Sequence, residues 1–155
     1  MGYTHYFLPP QKPENFKEFS DECKVLYENL PKEIKQNIGS IMGDGGKPMF
    51  EDFIVGFNGI DDLSHEAFVI QSKDKNVDFC KTARKPYDLL VVACLIAANQ
   101  HIGTLFASDG FDENPKISCD DLQPGIDFYN KVVKPKTPIT QQHLIKIRKK
   151  FYQKI

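Results

Sequence analysis

The sequence predicts an α+β fold in which an antiparallel sheet packs against a buried central helix. Ten uninterrupted apolar residues, at positions 89–98, would form a helix that is apolar on every side and therefore needs cover on every side. Short β-favouring segments alternate along the chain with segments of helical periodicity. A length of 155 residues suits one domain, and 41% hydrophobic with 26% charged residues is ordinary for a globular protein.

Charge and cysteine content exclude several classes of partner. A net charge of −1 gives no overall positive field, so we expect neither nucleic acid nor an anionic membrane as a partner. The apolar run is about half of the roughly 20 residues that cross a bilayer, and no secretory signal is visible at the N-terminus. The cysteines lack metal-binding spacing, so we expect no metal site. Cys94 is inside the apolar run and Cys23 is on the core face of a predicted helix, where cysteine usually acts as a small hydrophobe, so we expect free thiols and a reducing, cytoplasmic location. The alternative is two disulfides among the four cysteines. They are Cys23, Cys80, Cys94 and Cys119.

The first half of the chain alternates between strand and helix patterns. Residues 2–8, GYTHYFL, are aromatic and β-favouring and predict the first strand. Apolar side chains at three- and four-residue steps predict a helix over residues 15–30. Residues 53–57 and 66–71 predict two further strands, joined as a hairpin by the polar residues between them.

The second half begins with the central helix. Pro86 suits the first turn of a helix and Gly103 suits its end, so we predict this helix over residues 86–101. Residues 104–108 then predict a fourth strand, which ends at the sequence Ser-Asp-Gly.

Two helices are predicted to follow the last strand. The first spans residues 122–133. Thr137 and Pro138 suit the N-cap and first position of the second, which runs through residue 153 and is strongly basic. We therefore expect one α+β domain over residues 1–133. Residues 134–155 form a C-terminal helical extension that packs either on this domain or on a partner.

The predicted order β-α-β-β-α-β is that of the ferredoxin-like split arrangement, an antiparallel sheet with two helices on one face. In this topology the first strand pairs with the third and the fourth. The predicted strands at 53–57 and 66–71 are apolar on both faces, so the second face needs cover as well. Either the C-terminal helices supply that cover or a second copy of the chain does, as a homo-oligomer.

Several segments in order resemble a known protein family. They are GYTHYF at the N-terminus, GDGG, FNG, SHEAFV, FCKTARKPYD before the apolar helix, and the later SDG. This pattern resembles an uncharacterised family of short bacterial and phage proteins that begin GYTHYW or similar and carry FCKTARxPYD. The resemblance covers residues 2–110, with Phe7 in place of tryptophan and a longer C-terminus. The family implies no activity that transfers to this chain, but it directs attention to these motifs.

The strongest candidate site is cationic and lies at the mouth of the central helix. Lys81, Thr82, Arg84 and Lys85 precede the helix start, where free backbone N–H groups and the positive helix end favour an anion. A guanidinium can form a forked pair with phosphate or carboxylate. The alternative is that these cations are solvated or pair with nearby carboxylates.

A second candidate is acidic. Asp44 in GDGG and Asp109 in SDG follow predicted turns, and Asp109 leaves the fourth strand beside the first. Paired carboxylates hold Mg²⁺ or orient a ribose hydroxyl. The alternative is that Asp-Gly simply forms turns, which it does commonly.

A third candidate joins the first and third predicted strands. His5 and Tyr6 would meet His65 and Glu66 across the sheet, where they could transfer a proton or, as two histidines and a carboxylate, hold a metal. The alternative is a partly buried histidine that is satisfied by a neighbour.

Two single residues complete the candidates. Cys80 is a candidate nucleophile because cations and a helix N-terminus lower a thiol's pKa. Asn58 either presents its amide to a ligand or closes a hairpin.

Three functions fit these patterns. The first is binding of a small anionic ligand, phosphate- or nucleotide-like, at the mouth of the central helix. The second is an enzyme that uses the same pocket, with His5, His65, Cys80 or Asp109 in catalysis. The third is a macromolecular interaction protein that uses the sheet face or the basic last helix. The absence of a phosphate loop or a paired nucleophile and base favours the first, and the sequence indicates no particular cofactor.

Overall fold

The computed structural model describes residues 2–155 and has an α+β architecture, as predicted. Its strands within that range are β1 (Thr4–Phe7), β2 (Ile38–Gly39), β3 (Met49–Phe50), β4 (Ile54–Gly59), β5 (Phe68–Gln71), β6 (Asp78–Lys81) and β7 (Phe106–Ser108). Its α-helices are α1 (Phe16–Glu28), α2 (Lys32–Lys35), α3 (Asp88–Ile102), α4 (Gln123–Val133) and α5 (Gln141–Lys154).

The strands form two antiparallel sheets. In the first, β1 is central and pairs with β6 on one side and β7 on the other. In the second, β4 is central, with β2 and β3 on one edge and β5 on the other. A backbone hydrogen bond of 3.1 Å from the N–H of Glu66 to the carbonyl of Lys81 connects the two sheets. The candidate site lies on the first sheet.

The strand pairing differs from the ferredoxin-like order that the sequence predicted. β1 pairs with β6 rather than with the strand predicted at residues 66–71, although both neighbours of β1 are antiparallel to it, as in the predicted arrangement. The missed strand is four residues long, and only Cys80 of its side chains is buried. Because so short an edge strand carries only one alternation of buried and exposed residues, local sequence does not distinguish it from the cationic segment that follows it.

The prediction of a buried central helix is confirmed. Residues 90–98 of α3 are all buried, and α1 and α4 pack against it. Gly103 ends the helix in the left-handed region, with φ of 69°, as the sequence indicated. The helix begins at Asp88 rather than at Pro86, because Ala83 and Arg84 have positive φ and the chain turns before the helix starts.

The C-terminal helix α5 packs on its own chain. Its apolar side chains Leu144, Ile147 and Phe151 are buried in the common core, and the helix contacts β7. The N-cap is Thr140 rather than the predicted Thr137, and its side chain and that of His143 form a reciprocal capping box. In residues 2–155 there is no helix that is long and apolar enough to span a membrane.

Candidate functional site

A buried histidine joins the start of the central helix to the end of the last strand. His5 lies on β1 and is fully buried. Its Nδ1 is 2.8 Å from the hydroxyl of Ser108, and its Nε2 is 2.6 Å from a carboxylate oxygen of Asp88. The start of α3 and the end of β7 therefore both contact His5, on the inner face of the first sheet.

The tautomer of His5 follows from its acceptor. Because a carboxylate accepts, Nε2 carries the N–H that faces Asp88, and in this tautomer Nδ1 accepts the O–H of Ser108. The Ser108 oxygen in turn accepts the N–H of Gly110 at 2.9 Å. Asp88 also accepts the hydroxyl of Thr82 at 2.6 Å. A continuous series of hydrogen bonds thus connects Ser108 through the imidazole to the carboxylate of Asp88, which accepts from two donors.

Strand register places these side chains together. His5 is directly opposite Ser108 on β7 and opposite Cys80 on β6. Directly opposite residues point to the same face of a sheet, so Ser108 and His5 both face α3. At the end of β7, the N–H of Asp109 donates to the carbonyl of Thr4, and the N–H of Thr4 donates to the carboxylate of Asp109 at 3.0 Å. The expectation that Asp109 approaches the first strand is confirmed.

Tyr3 and Arg84 cover the site on one side. The ring of Tyr3 is edge-on to His5, with centroids 5.3 Å apart, and the guanidinium carbon of Arg84 is 4.0 Å from the Tyr3 ring centroid. Arg84 also forms an ion pair with Asp121 at 3.1 Å. Burial, with a smaller contribution from the charge of Asp88, raises the pKa of the Tyr3 hydroxyl well above its ordinary value. Tyr3 is therefore a neutral cover for the histidine.

A large polar cleft opens beside Ser108, with a volume of about 870 Å³. Five carboxylates and one guanidinium are in its lining, so the cleft is acidic. The lining residues are Gly2, Ser108, Asp109, Gly110, Phe111, Asp112, Glu113, Asn114, Ser118, Asp120, Asp121, Arg148 and Tyr152.

One cation of the chain itself is seated in this cleft. The guanidinium carbon of Arg148 lies 5.5 Å from the ring centroid of Phe111 and 5.1 Å from that of Tyr152. Arg148 also forms an ion pair with Glu113. Two aromatic faces and a carboxylate thus form a subsite that suits a cation.

The cationic side chains predicted to form one anion site at the helix mouth each contact a different partner. Arg84 pairs with Asp121, the Lys85 ammonium donates to the carbonyl of Asp62 at 3.0 Å, and the Lys81 ammonium lies over the ring of Phe79. At the helix start itself, Asp88 supplies a carboxylate in the first turn, where the helix dipole favours negative charge.

Cys80 lacks the surroundings on which its candidacy as a nucleophile depended. Cys80 lies on β6 and is fully buried, rather than at a helix N-terminus. Burial, followed by the charges of Glu66 and Asp88, raises the pKa of its thiol far above the ordinary value. The thiol is therefore protonated at neutral pH, and all four cysteines are buried free thiols.

The predicted cluster of two histidines does not form around His5. His65 is exposed, and its Nδ1 donates to the carbonyl of Lys81 at 2.8 Å. Glu66 accepts the N–H of Lys81 at 2.8 Å. Because Lys81 is opposite Thr4 in the register, these side chains reach the far edge of β6 rather than the inner face of β1. Tyr6 is on the other face of the sheet and is partly exposed.

Asn58 and Asp44 have local structural roles. The side chain of Asn58 is buried, accepts the N–H groups of Gly59 and His65 and donates to the carbonyl of His65, so its amide closes the β4–β5 connection. Asp44 accepts the hydroxyl of Ser40 and the N–H of Gly46 within its own turn, which lowers the pKa of its carboxyl. Within residues 2–155, no group of three or more histidine, cysteine or acidic side chains could hold a metal ion.

Sequence reasoning named His5, Thr82 and Asp109 but not their partners. Ser108 marks only the end of the predicted fourth strand, and Asp88 is not among the candidate residues. The signal that would have found Ser108 is the β1–β7 register, which local sequence does not determine. No protein-family model, no curated protein and no solved structure matches this chain.

Proposed function

We propose that this protein binds a small cationic ligand in the cleft beside Ser108. The observation that carries the proposal is the charge of the lining, which has five carboxylates and one guanidinium. Cleft volumes of roughly 300–1,000 Å³ are typical of small-molecule sites, and this cleft has about 870 Å³. A cation entering it would be attracted by several carboxylates at once.

The carboxylates keep capacity to accept further hydrogen bonds. Asp109, Asp112 and Asp120 each use one oxygen in the hydrogen bonds formed among residues 2–155, to Thr4, Asn114 and Gln141. Each ionised carboxylate offers about four acceptor positions. A ligand with ammonium or guanidinium N–H donors would therefore find acceptors along the whole cleft.

The position of Arg148 supports a cation rather than an anion. Its guanidinium carbon is 5.5 Å from the ring centroid of Phe111 and 5.1 Å from that of Tyr152, and the guanidinium pairs with Glu113. The chain therefore already contains an example of the contact that a ligand guanidinium or ammonium would make. An anion in the same place would face the carboxylates of Asp112, Asp120 and Asp121.

An anionic ligand at the helix mouth is the second candidate, and one observation favours it. The side chain of Arg84 is 60% exposed, and its guanidinium carbon lies 4.0 Å from the Tyr3 ring centroid, so the guanidinium is accessible to a phosphate that displaces Asp121. The two candidates differ in the sign of the ligand's charge, so one experiment separates them.

The experiment is a thermal-shift panel with spermidine and agmatine as cations and ATP and inorganic phosphate as anions. We expect the cations to raise the melting temperature and Asp112→Asn with Asp120→Asn to reduce that shift. Asp62→Asn, which removes an exposed carboxylate outside the cleft, is the control and should keep the shift. Stabilisation by ATP alone, lost in Arg84→Ala, would instead support the anionic ligand. No shift with any cation would refute the proposal.

A further inference from the structure

We propose that Ser108 is a nucleophile, activated by His5 and Asp88, that cleaves an ester bound in the cleft. The inference rests on the proposed function only in that the cleft holds the substrate. The observation that carries it is the pair of hydrogen bonds at the imidazole, 2.8 Å to Ser108 Oγ and 2.6 Å to Asp88 Oδ1. Ser108 is buried but is also one of the residues that line the cleft, so the series of hydrogen bonds ends at the cleft wall.

The arrangement has the three roles that serine activation needs. Ser108 presents the hydroxyl, His5 offers a ring nitrogen that accepts its proton, and Asp88 holds the opposite N–H. The two ring nitrogens are exchanged relative to the usual serine–histidine–aspartate triad, since Nδ1 faces the serine and Nε2 the aspartate. The imidazole passes a proton equally well in this orientation, because either nitrogen is basic when the other carries the hydrogen.

The surroundings stabilise the charged ring that forms during the reaction. When His5 takes the serine proton, the resulting imidazolium lies 2.6 Å from Asp88, and this carboxylate is fixed by the hydroxyl of Thr82. His5 is fully buried and the side chain of Asp88 is 19% exposed, so water screens this contact weakly. Packing of Tyr3 against the ring holds its orientation.

The reaction proceeds in two balanced halves. Ser108 Oγ bonds to the ester carbonyl carbon, its proton passes to His5 Nδ1, and the carbon–oxygen bond to the alcohol breaks as that proton passes to the leaving oxygen. In the second half, water attacks the acyl-serine, gives its proton through Nδ1 to Ser108 Oγ, and releases the carboxylic acid. Water is the only co-reactant, and no electron transfer is involved.

The rate of ester cleavage depends on whether backbone N–H groups near Ser108 can stabilise the tetrahedral intermediate. The N–H groups of Asp109, Gly110 and Phe111 donate to Thr4 O, Ser108 Oγ and Ser108 O. All three N–H groups thus have acceptors within the chain, and none is free to donate to the negatively charged oxygen of a tetrahedral intermediate. Loss of one such donor costs about 10²–10³-fold in related chemistry, so we expect slow turnover and a preference for activated esters.

A structural role for the same hydrogen bonds predicts different behaviour. In that case His5 would only connect β1, β7 and α3, and Ser108 would react no faster than an ordinary serine. The decisive readout is therefore the reactivity of Ser108 itself, which can be measured without knowing the substrate and which a purely structural network would not raise.

The test is labelling of the full chain with a fluorophosphonate probe, followed by peptide mass spectrometry. We expect an adduct at Ser108 that is lost in Ser108→Ala and formed at least about 100-fold more slowly in Asp88→Asn and His5→Gln. Ser72→Ala, outside the site, should label like the unmodified chain. Circular dichroism of each variant shows whether it is folded. If His5→Gln is not folded, the labelling rate is compared with that of Asp88→Asn, which keeps the shape of the side chain.

Two results would overturn the inference: no adduct at Ser108 in the unmodified protein, or equal labelling rates in the folded Asp88→Asn variant. The outcome is separate from that of the ligand proposal. Cation-induced stabilisation without labelling leaves the binding proposal intact and refutes the nucleophile. Labelling without any cation shift supports the nucleophile and refutes the cationic ligand.

Discussion

The Nε2 atom of His5 lies 2.6 Å from a carboxylate oxygen of Asp88, although the two residues are 83 positions apart in the chain. This contact fixes the first strand to the start of the central helix. The same carboxylate oxygen accepts the hydroxyl of Thr82, which is also buried. Asp88 therefore satisfies two buried donors, and its removal affects stability as well as any chemistry at Ser108.

We expect Asp88→Ala to lower the free energy of unfolding by about 2–4 kcal/mol, because each buried donor left without a partner costs roughly 1–3 kcal/mol. Urea denaturation measures this change. The control is Asp78→Ala, which removes an exposed carboxylate whose hydrogen bond is to the adjacent Phe79 N–H. It should change stability by less than about 0.5 kcal/mol. Equal effects of the two variants would contradict the assigned role of Asp88.

A second histidine makes stability depend on pH. His101 Nε2 is 3.0 Å from Glu22, which also accepts the Tyr129 hydroxyl, and this contact raises the pKa of His101. A group whose pKa is higher in the folded state adds stability that is complete below its unfolded pKa, about 6.5, and is lost as pH rises through the folded pKa.

We therefore expect the contribution of His101 to the free energy of unfolding to fall as pH rises above about 6.5, and His101→Gln to remove this part of the pH dependence. Urea denaturation at a series of pH values measures both slopes. Glu22→Gln is the companion variant, because it removes the carboxylate that raises the pKa. If the native chain and His101→Gln have the same slope in this interval, the ion pair contributes nothing to stability.

The corrected start of the last helix gives a third prediction. Thr140 accepts the N–H of His143 and is the N-cap, whereas Thr137 lies outside the helix. Thr140→Ala should cost about 1 kcal/mol, since loss of a threonine cap typically costs roughly 0.5–2 kcal/mol. Thr137→Ala is the matched control and should change stability by less than about 0.5 kcal/mol. Melting temperatures distinguish them, and a larger effect at Thr137 would show that the helix begins earlier.

Sequence alone predicted the helices better than the strands, for a physical reason. The central helix was placed within two residues of its observed start because its apolar run is long and Gly103 stops it. β2, β3 and β6 have two to four residues, too few for a periodic pattern, and they are strands because β1 and β4 offer them free edges.

The candidate site was predicted only in part, because its assembly depends on strand register. His5 and Asp109 could be named from their residue types and positions. His5 and Ser108 are 103 positions apart in the chain, and their pairing depends on the alignment of β1 with β7. A shift of one residue would turn Ser108 to the opposite face of the sheet, and no local pattern excludes that shift.

Arg148 gives the cleft a built-in competitor. Its guanidinium already contacts the rings of Phe111 and Tyr152, so a cation that binds there must displace it or share the two rings with it. The measured affinity of a ligand would then be its intrinsic affinity reduced by the cost of moving one side chain of the last helix. A cation that these rings and carboxylates bind only weakly would therefore not displace the Arg148 side chain.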